Sequence, residues 1–418
     1  MINNQDTNSE SHIIHKSFKC RIYPNKEQEA YFINHFNACR LVWNTFLNLH
    51  QKDKSLKINH FADEKLFRQL KKDGITFKKT EFCDISKCSA HTFYSTIEYL
   101  DKVAYKKFFK KQAGYPKFKN RFDAQSVTFP DGVSIVNGNY NNKYCYLKFP
   151  KINSLIKIKL PESNNIKKLA QVIVTKTKSN KYFVSLSCEV PCNYLSKNSN
   201  AIGIDLGIKD LIVCSNGETF SNPKFYDKKL KHLKFLQRQL AKKQKGSHNR
   251  DKAKKKLALV YEKITNAKQN NIHQMTSKII KNNQLICAES LNVASMITDA
   301  SKEKKHSLAR NISNANMSEI LRQLSYKSDW YGRNFVQIPR FFASSQICHH
   351  CGYQNKDLKL DDRKWICPQC GKEVNRDFNA AQNILDCGIT EFNKSGGSWS
   401  SDSKQKDVEA FSLEKPLA

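Results

Sequence analysis

Two groups of side chains have types and spacings that can do chemistry. The first is Cys348-x2-Cys351, fifteen residues, then Cys367-x2-Cys370. Two CxxC knuckles at this spacing close a tetrahedral thiolate site, and each is followed by a glycine, Gly352 or Gly371, for its tight turn. Zinc is the favoured metal because it has no redox chemistry and accepts this geometry. A redox dithiol pair and an iron–sulfur centre are the alternatives. Four sulfurs leave no open position, so the site is structural. His349 and His350 are read as facing solvent or nucleic acid. Lys356, Lys359, Arg363, Lys364 and Trp365, between the knuckles, suit contact with a nucleic-acid strand.

The second group is three carboxylates. Asp205 lies in the apolar run AIGIDLG and Glu289 in QLICAESL, where an unpaired charge is expensive to bury. Asp377 lies in EVNRDFNAAQNILDCG, where Phe378, Ala381, Gln382 and Leu385 mark a helix face and Gly388 a stop. Taken singly, Asp205 reads as a turn residue, Glu289 as a strand-end charge and Asp377 as an N-cap. Taken together, two acids on strands of one layer and a third at a helix start can converge at the strand ends. Three such carboxylates can hold two Mg²⁺ ions about 3.5–4 Å apart, one activating water and one stabilising a leaving oxygen.

The elements that must position these groups follow from periodicity. SFKCRIY (17–23) alternates as a strand, Pro24 ends it, and Asn25 with Gln28 forms a capping box for a helix running through residue 50. A mostly helical stretch continues to about residue 121. Residues 122–197 change to period two, with Ile156, Ile158 and Leu160, then Val172 and Val174, then Tyr182 to Cys188, which predicts a small antiparallel barrel. Strands are predicted at AIGIDLG, at IKDLIVC, near Glu218–Ser221, at QLICAESL and at FVQIPR. A basic helical hairpin broken at Gly246-Ser247 lies between the third and fourth of these.

Composition says what the surface meets. The 418 residues carry a net charge of +33, and 39% are hydrophobic, so real cores form on a chain that needs a polyanion. Residues 228–263 hold fourteen Lys or Arg against two acids, and residues 100–121 hold eight against one with five aromatics among them. Bases stack on such rings while the cations meet phosphates. The remaining ten cysteines are scattered, which fits a reducing compartment. The N-terminus has no apolar signal segment, and no run spans a membrane.

The motif order GIDLGIKDL, ESLNV, SSQICHHCG, WICPQCG, NRDFNAAQNIL resembles the TnpB family of bacterial insertion sequences. RIYPNKEQ, FNACRLVWN, YPKFKNR and KKQKGSHNRDKAKKK also match its habits, so the resemblance spans about residues 17–390. It implies an RNA-guided, Mg²⁺-dependent endodeoxyribonuclease, similar to compact type V CRISPR effectors, with Asp205, Glu289 and Asp377 as catalytic acids on two Mg²⁺ ions. Cys348, Cys351, Cys367 and Cys370 would hold one structural Zn²⁺.

The implied fold class is multidomain α/β: an RNase H-like (RuvC-type) nuclease domain with a zinc-ribbon insertion, plus a small antiparallel β-barrel (wedge) carrying a helical recognition insert. The boundaries are a disordered 1–16, a wedge barrel of 17–23 and 122–197, a recognition domain of 24–121, nuclease segments 200–342 and 372–390, a zinc-ribbon module of 343–371, and a disordered tail of 391–418. Nucleic-acid contacts are expected at Lys106, Lys107, Lys110, Lys111, Tyr115, Lys117, Lys119, Arg121, Lys242, Lys243, Lys245, Arg250, Lys254, Lys255 and Arg376. The partners would be a guide RNA from the element's own end and double-stranded target DNA, bound by a cytoplasmic, nucleoid-associated monomer without membrane contact. Ser290 stands where the family often has Asp, and Lys268 where it often has Arg. A catalytically silent RNA-guided regulator and a DNA-joining transposase are the competing readings.

Overall fold

The computed structural model describes residues 11–399 apart from 54, 57, 75, 78, 81–82, 137–144, 159–165 and 360–361. Leu160, the start of the chain to residue 10 and the tail from 400 lie outside the described residues. The chain divides into two units. The first holds His12–Pro191 and Gln244–Ala258, the second Cys192–Lys243 and the described residues from Leu259 onward.

In the first unit, Asn25 accepts from the Gln28 backbone while the Gln28 side chain accepts from the Asn25 backbone, the expected capping box. It opens helix α1 (Lys26–Lys52). Strand β1 (Ser11–Ile22) precedes it, so residues 11–16 are strand where a disordered terminus was expected. Their alternation joins β1: Ile14, Phe18, Cys20 and Ile22 are all buried. Helices α2 (His60–Lys72), α3 (Ala90–Tyr99), a π-helical turn (Leu100–Tyr105) and α4 (Lys106–Phe109) follow. Then come β2 (Gln125–Phe129), β3 (Ser134–Val136), β4 (Cys145–Lys148), β5 (Ile156–Ile158), β6 (Lys168–Lys176) and β7 (Tyr182–Asn193).

These seven strands form one sheet in the order β2-β6-β7-β1-β5-β4-β3. It is a half-barrel, with β2 and β3 left as edges, and not the closed barrel that was expected. The apolar face that closure would bury is covered by α1. Phe32 sits with its ring centroid 5.3 Å from Phe149 and 6.0 Å from Tyr182. The helical segment therefore shares its core with the sheet.

The second unit holds β8 (Ala201–Asp205), β9 (Asp210–Cys214), β10 (Thr219–Ser221), α5 (Phe225–Ala241), α6 (His248–Asn282), β11 (Leu285–Glu289), α7 (Val293–Lys302), α8 (His306–Ala315), α9 (Met317–Tyr331), β12 (Asn334–Ile338), β13 (Lys364–Ile366), β14 (Glu373–Asn375) and α10 (Arg376–Lys394); residues His248–Ala258 of α6 group with the first unit. Five strands form a sheet in the order β10-β9-β8-β11-β12. β8, β11 and β12 run parallel, while β9 and β10 are antiparallel to their neighbours.

Alternation gives β11 two buried faces. Ile286 and Ala288 pack with Ile272, Met275, Ile279, Ile320 and Leu324 of α6 and α9. Leu285 and Cys287 pack with Ile384 and Ile389 of α10. Gly388, read from sequence as a helix stop, lies inside α10. A Cβ there would fall 2.5 Å from the Cys287 Cβ, so the residue is glycine because helix and strand cross at that point.

The end of the chain also departs from expectation. α10 continues to Lys394, and Trp399 folds back, donating its backbone N–H to Asn393 Oδ1 at 2.8 Å and packing on the α10 side of the sheet. Residues 391–399 are thus structured where a tail was expected.

Gly203 makes the matching close approach on β8. A Cβ there would lie 2.7 Å from the Leu385 backbone nitrogen and would also collide with the Ala381 carbonyl, neither of which can rotate away. Gly203→Ala is expected to lower stability by about 2–4 kcal/mol, at or above the usual overpacking range of 1–3. A thermal melt unchanged from the parent would contradict this packing.

Candidate functional site

Asp205 ends β8 and Glu289 ends β11. The register pairs Ile204 with Ala288, so the two acids follow side by side at the carboxyl ends of adjacent parallel strands. That edge is where open α/β sheets place their ligands. Asp377 arrives from the opposite direction. Asn375 is the N-cap of α10, accepting from the Phe378 backbone at 3.1 Å, so Asp377 sits in the first turn and its carboxylate is free of capping duty.

Asp205 feels both of the other acids. The Asp205 carboxyl is pushed up to about 7, first by burial and then by the negative charges of Glu289 and Asp377, while Arg376 and the Leu206 backbone pull it the other way. Glu289 accepts a short hydrogen bond from Ser344 Oγ. Asp377 accepts both its bonds from Arg363 Nη1, at 3.0 and 2.9 Å. The carboxylates share an edge without closing to ligand spacing. Among the described residues, the group whose ligand atoms all lie within 4.8 Å of one another is the cysteine cluster. An all-oxygen donor set with excess negative charge fits a hard divalent cation such as Mg²⁺.

The four cysteines do converge. Cys348 and Cys370 sulfurs lie 3.8 Å apart and Cys351 and Cys367 sulfurs 3.6 Å apart. A tetrahedron of Zn–S bonds of about 2.3 Å puts sulfurs about 3.8 Å apart, so the cluster can hold zinc without rearrangement. Gly352 and Gly371 take φ of 77° and 72°, the left-handed conformation that their knuckles require. His349 and His350 are not in the cluster; His349 Nδ1 lies 3.3 Å from Asp386. Trp365, read from sequence as a strand contact, is buried with Cys348, Cys367 and Val374 as the module's own core. A module this small has few other apolar groups to bury around its sulfurs.

Sequence reasoning missed how the module is joined to the acids. β13 pairs with β14, which runs directly into α10, and Arg376 N–H donates to the Arg363 carbonyl at 2.9 Å. Asn379 and Asn383 of α10 then donate to the carbonyls of Ile347 (2.6 Å from each) and Ser344 (2.8 Å from Asn383), while His349 N–H donates to Asn379 Oδ1 at 2.8 Å. The signal was present as three asparagines in NRDFNAAQN, on a helix that would otherwise prefer better formers.

The expected nucleic-acid residues are mostly exposed. Lys106, Lys107, Lys110, Lys111, Lys117 and Arg121 face solvent in the first unit, as do Lys245, Lys254 and Lys255. Phe109 and Phe122, 66% and 70% exposed, stand among them. Several are also engaged within the protein: Lys254 Nζ donates to Asp251 at 3.2 Å, and the Arg121 guanidinium lies 4.9 Å from the centroid of the Phe122 ring. Lys119 Nζ lies 3.6 Å from the centroid of the Trp43 ring, and the Tyr115 hydroxyl lies 3.3 Å from that of Tyr105. Arg250 is half-buried near the start of α6, in the first unit. In the second unit Lys242 and Lys243 are exposed, and Arg376 donates to the Lys359 carbonyl at 3.3 Å. Among the described residues no helix is long and apolar enough to cross a membrane.

Fold and site together define a mixed α/β protein in which a tetrathiolate module leads directly into the acid-bearing helix of a five-stranded sheet. A family model described as "Probable transposase" (OrfB_IS605) matches residues 183–300, and one described as "Cas12f1-like, TNB domain" matches 318–384. A third, described as "Helix-turn-helix domain", matches 14–53, where the chain has a strand and one long helix. A Streptomyces pristinaespiralis protein named RNA-guided DNA endonuclease is 30% identical over 383 residues, covering 90% of each chain. InsQ of Escherichia coli K12, with the same description, is 28% identical over 386 residues, covering 89% of this chain and 92% of its own. The chain belongs to this family, the TnpB (OrfB_IS605) proteins. A solved Cas12f1–sgRNA–target DNA complex shares the fold at a TM-score of 0.50 and 15% identity, covering 89% of this chain and 99% of that one.

Proposed function

We infer that this protein is an RNA-guided DNA endonuclease that hydrolyses phosphodiesters beside a short flanking motif, using Asp205, Glu289 and Asp377. The observation that supports the reading is the placing of Asp205 and Glu289 at the ends of adjacent parallel strands, with burial and the charges of Glu289 and Asp377 pushing the Asp205 carboxyl up to about 7. The sheet order β10-β9-β8-β11-β12, with the second and third strands antiparallel, supports an RNase H-like (RuvC-type) nuclease domain. Relatives named for this activity cover nearly the whole chain.

The three acids would hold two Mg²⁺ ions, which supply Lewis acidity and a hydroxide at neutral pH. Asp205, with its carboxyl pushed up to about 7, would have to be deprotonated to serve as a ligand. Ser344 would orient Glu289 by its hydrogen bond, and Arg363 would orient Asp377, whose oxygens keep lone pairs free for a cation. The Cys348–Cys370 module is a zinc ribbon that holds the start of α10, and with it Asp377, in place.

In this reading the half-barrel is the wedge, the helical segment the recognition element, and both read the flanking motif and guide duplex through their exposed Lys, Arg and Phe side chains. The guide derives from the element's own end, and the protein acts as a monomer on nucleoid DNA in the cytoplasm. The test is to sequence the RNA that co-purifies with the protein. A guide-matched target is then challenged beside a randomised flank with Mg²⁺. Guide-dependent double-strand breaks are expected. A structured bound RNA with no product from any flank would overturn the nuclease and leave a silent guided regulator.

A further inference from the structure

Within the second unit lies a cavity of about 330 Å³. Its wall starts three residues after Asp205, at Ile208 and Lys209, and ends on Arg363, whose guanidinium also holds Asp377. The volume is at the small end of the roughly 300–1,000 Å³ that ligand pockets occupy.

The lining defines what fits. Lys209, Lys224, Lys268 and Arg363 face one acid, Asp227, so the occupant is an anion and not a metal ion. Five asparagines line the same space, and Phe225 and Tyr226 supply rings. Amides complement the mixed donor and acceptor edge of a nucleobase, rings stack on its face, and cations meet its phosphate.

One of the amides is held ready. Lys268 Nζ donates to Asn314 Oδ1 at 2.7 Å. A lysine can only donate, so this bond fixes which end of the amide it meets and leaves Nδ2 as the remaining donor. That Nδ2 is buried and has no hydrogen-bond partner. A buried donor without an acceptor costs free energy, which an acceptor brought to Asn314 would recover. Lys268 is the position where the family often carries Arg. Here it orients Asn314 from within a partly desolvated wall, where burial lowers its own proton affinity.

We propose that this cavity receives one unpaired nucleotide of the DNA strand being cut, flipped out of its stack beside the scissile phosphate, with Asn314 reading its base and Lys268 orienting Asn314. Holding the neighbouring nucleotide fixes the phosphate over the acids and keeps a paired duplex out of the centre. The proposal rests on the nuclease reading above, and its test separates the two.

The first arm needs no turnover. The Asp205→Ala protein with its co-purified RNA is irradiated with a single-stranded DNA oligonucleotide carrying 5-iododeoxyuridine, and adducts are located by mass spectrometry. Adducts on Phe225 or Tyr226 are expected, and adducts confined to other regions would overturn the pocket. The second arm scans single abasic sites along the target strand. One position beside the cut is expected to slow single-turnover cleavage by about tenfold, the order of one lost base-reading contact. That penalty should vanish in Asn314→Leu and persist in Lys268→Arg, which keeps the donor and controls for folding. Uniform tolerance, or a penalty unchanged in Asn314→Leu, would overturn the proposal. If the parent cuts no DNA the nuclease reading fails, and the crosslinks alone decide the pocket.

Discussion

Asp205→Ala is expected to reduce DNA cleavage by at least about a thousandfold, equivalent to about 4 kcal/mol of barrier at 1.36 kcal/mol per decade. Binding of the guide RNA and of a matched DNA should stay within about twofold, because the contacts argued for both lie on other elements. The reason is position. Asp205 sits at the end of the sheet's central strand, between β9 and β11, and is the carboxylate that both others repel. No other acid can take its place at that edge without moving the strand.

The same residue sets a pH dependence. A carboxyl pushed up to about 7 in the folded protein keeps its proton after an unfolded one, near 3.9, has lost it. Between those values the folded state binds the extra proton. Stability of the metal-free protein therefore falls as pH rises from about 4 to 7. Asp205→Asn should abolish that fall. A cation must also displace this proton, so Mg²⁺ affinity should rise up to about tenfold per pH unit below 7 and level off above it. Cleavage at full rate in Asp205→Ala, or Mg²⁺ affinity flat from pH 5 to 8, would remove Asp205 from the site.

Cys367→Ser carries the second large effect. Structural zinc contributes roughly 10–16 kcal/mol to the folding of small zinc modules, more than a hairpin as short as β13–β14 can supply by itself. The variant should purify without stoichiometric zinc, and Trp365, buried among the sulfurs, should shift its fluorescence to the red as the module opens. Cleavage should fall with it by a hundredfold or more, because β14 is continuous with α10 and the loop before Cys348 is tied to Asn379 and Asn383. The first unit has its own core and should melt as in the parent. Parental zinc content, or parental cleavage without zinc, would show that the cluster does not organise the acids.

The chemistry was legible in the sequence where it is local. CxxC spacing fixes which sulfurs can meet, and a carboxylate inside an apolar run stands out because burial penalises it. The strands that carry Asp205 and Glu289 were legible for the same reason, as short apolar runs with one charge.

What escaped was tertiary. Gly388 reads as a stop in any window, and only the crossing with Cys287 makes it an interior contact. Trp365 reads as a stacking ring until the module's need for a core is known. The pairing of Arg363 with Asp377 depends on a hairpin register that the spacing alone does not reveal. The half-barrel was read as closed because alternation reports that a strand has a buried face, and says nothing of whether a sheet or a helix covers it. Here α1 covers it, through Phe32.

The route from β14 into α10 also orders events during synthesis. Asp205 and Glu289 leave the ribosome well before Asp377 and α10, the helix that covers β8 and β11 on one face. Contacts this distant in sequence form late. A nascent or prematurely terminated chain lacking α10 holds two acids on an uncovered sheet edge and no third. The three acids thus come together only after β8, β11 and the basic helices between them have already been made.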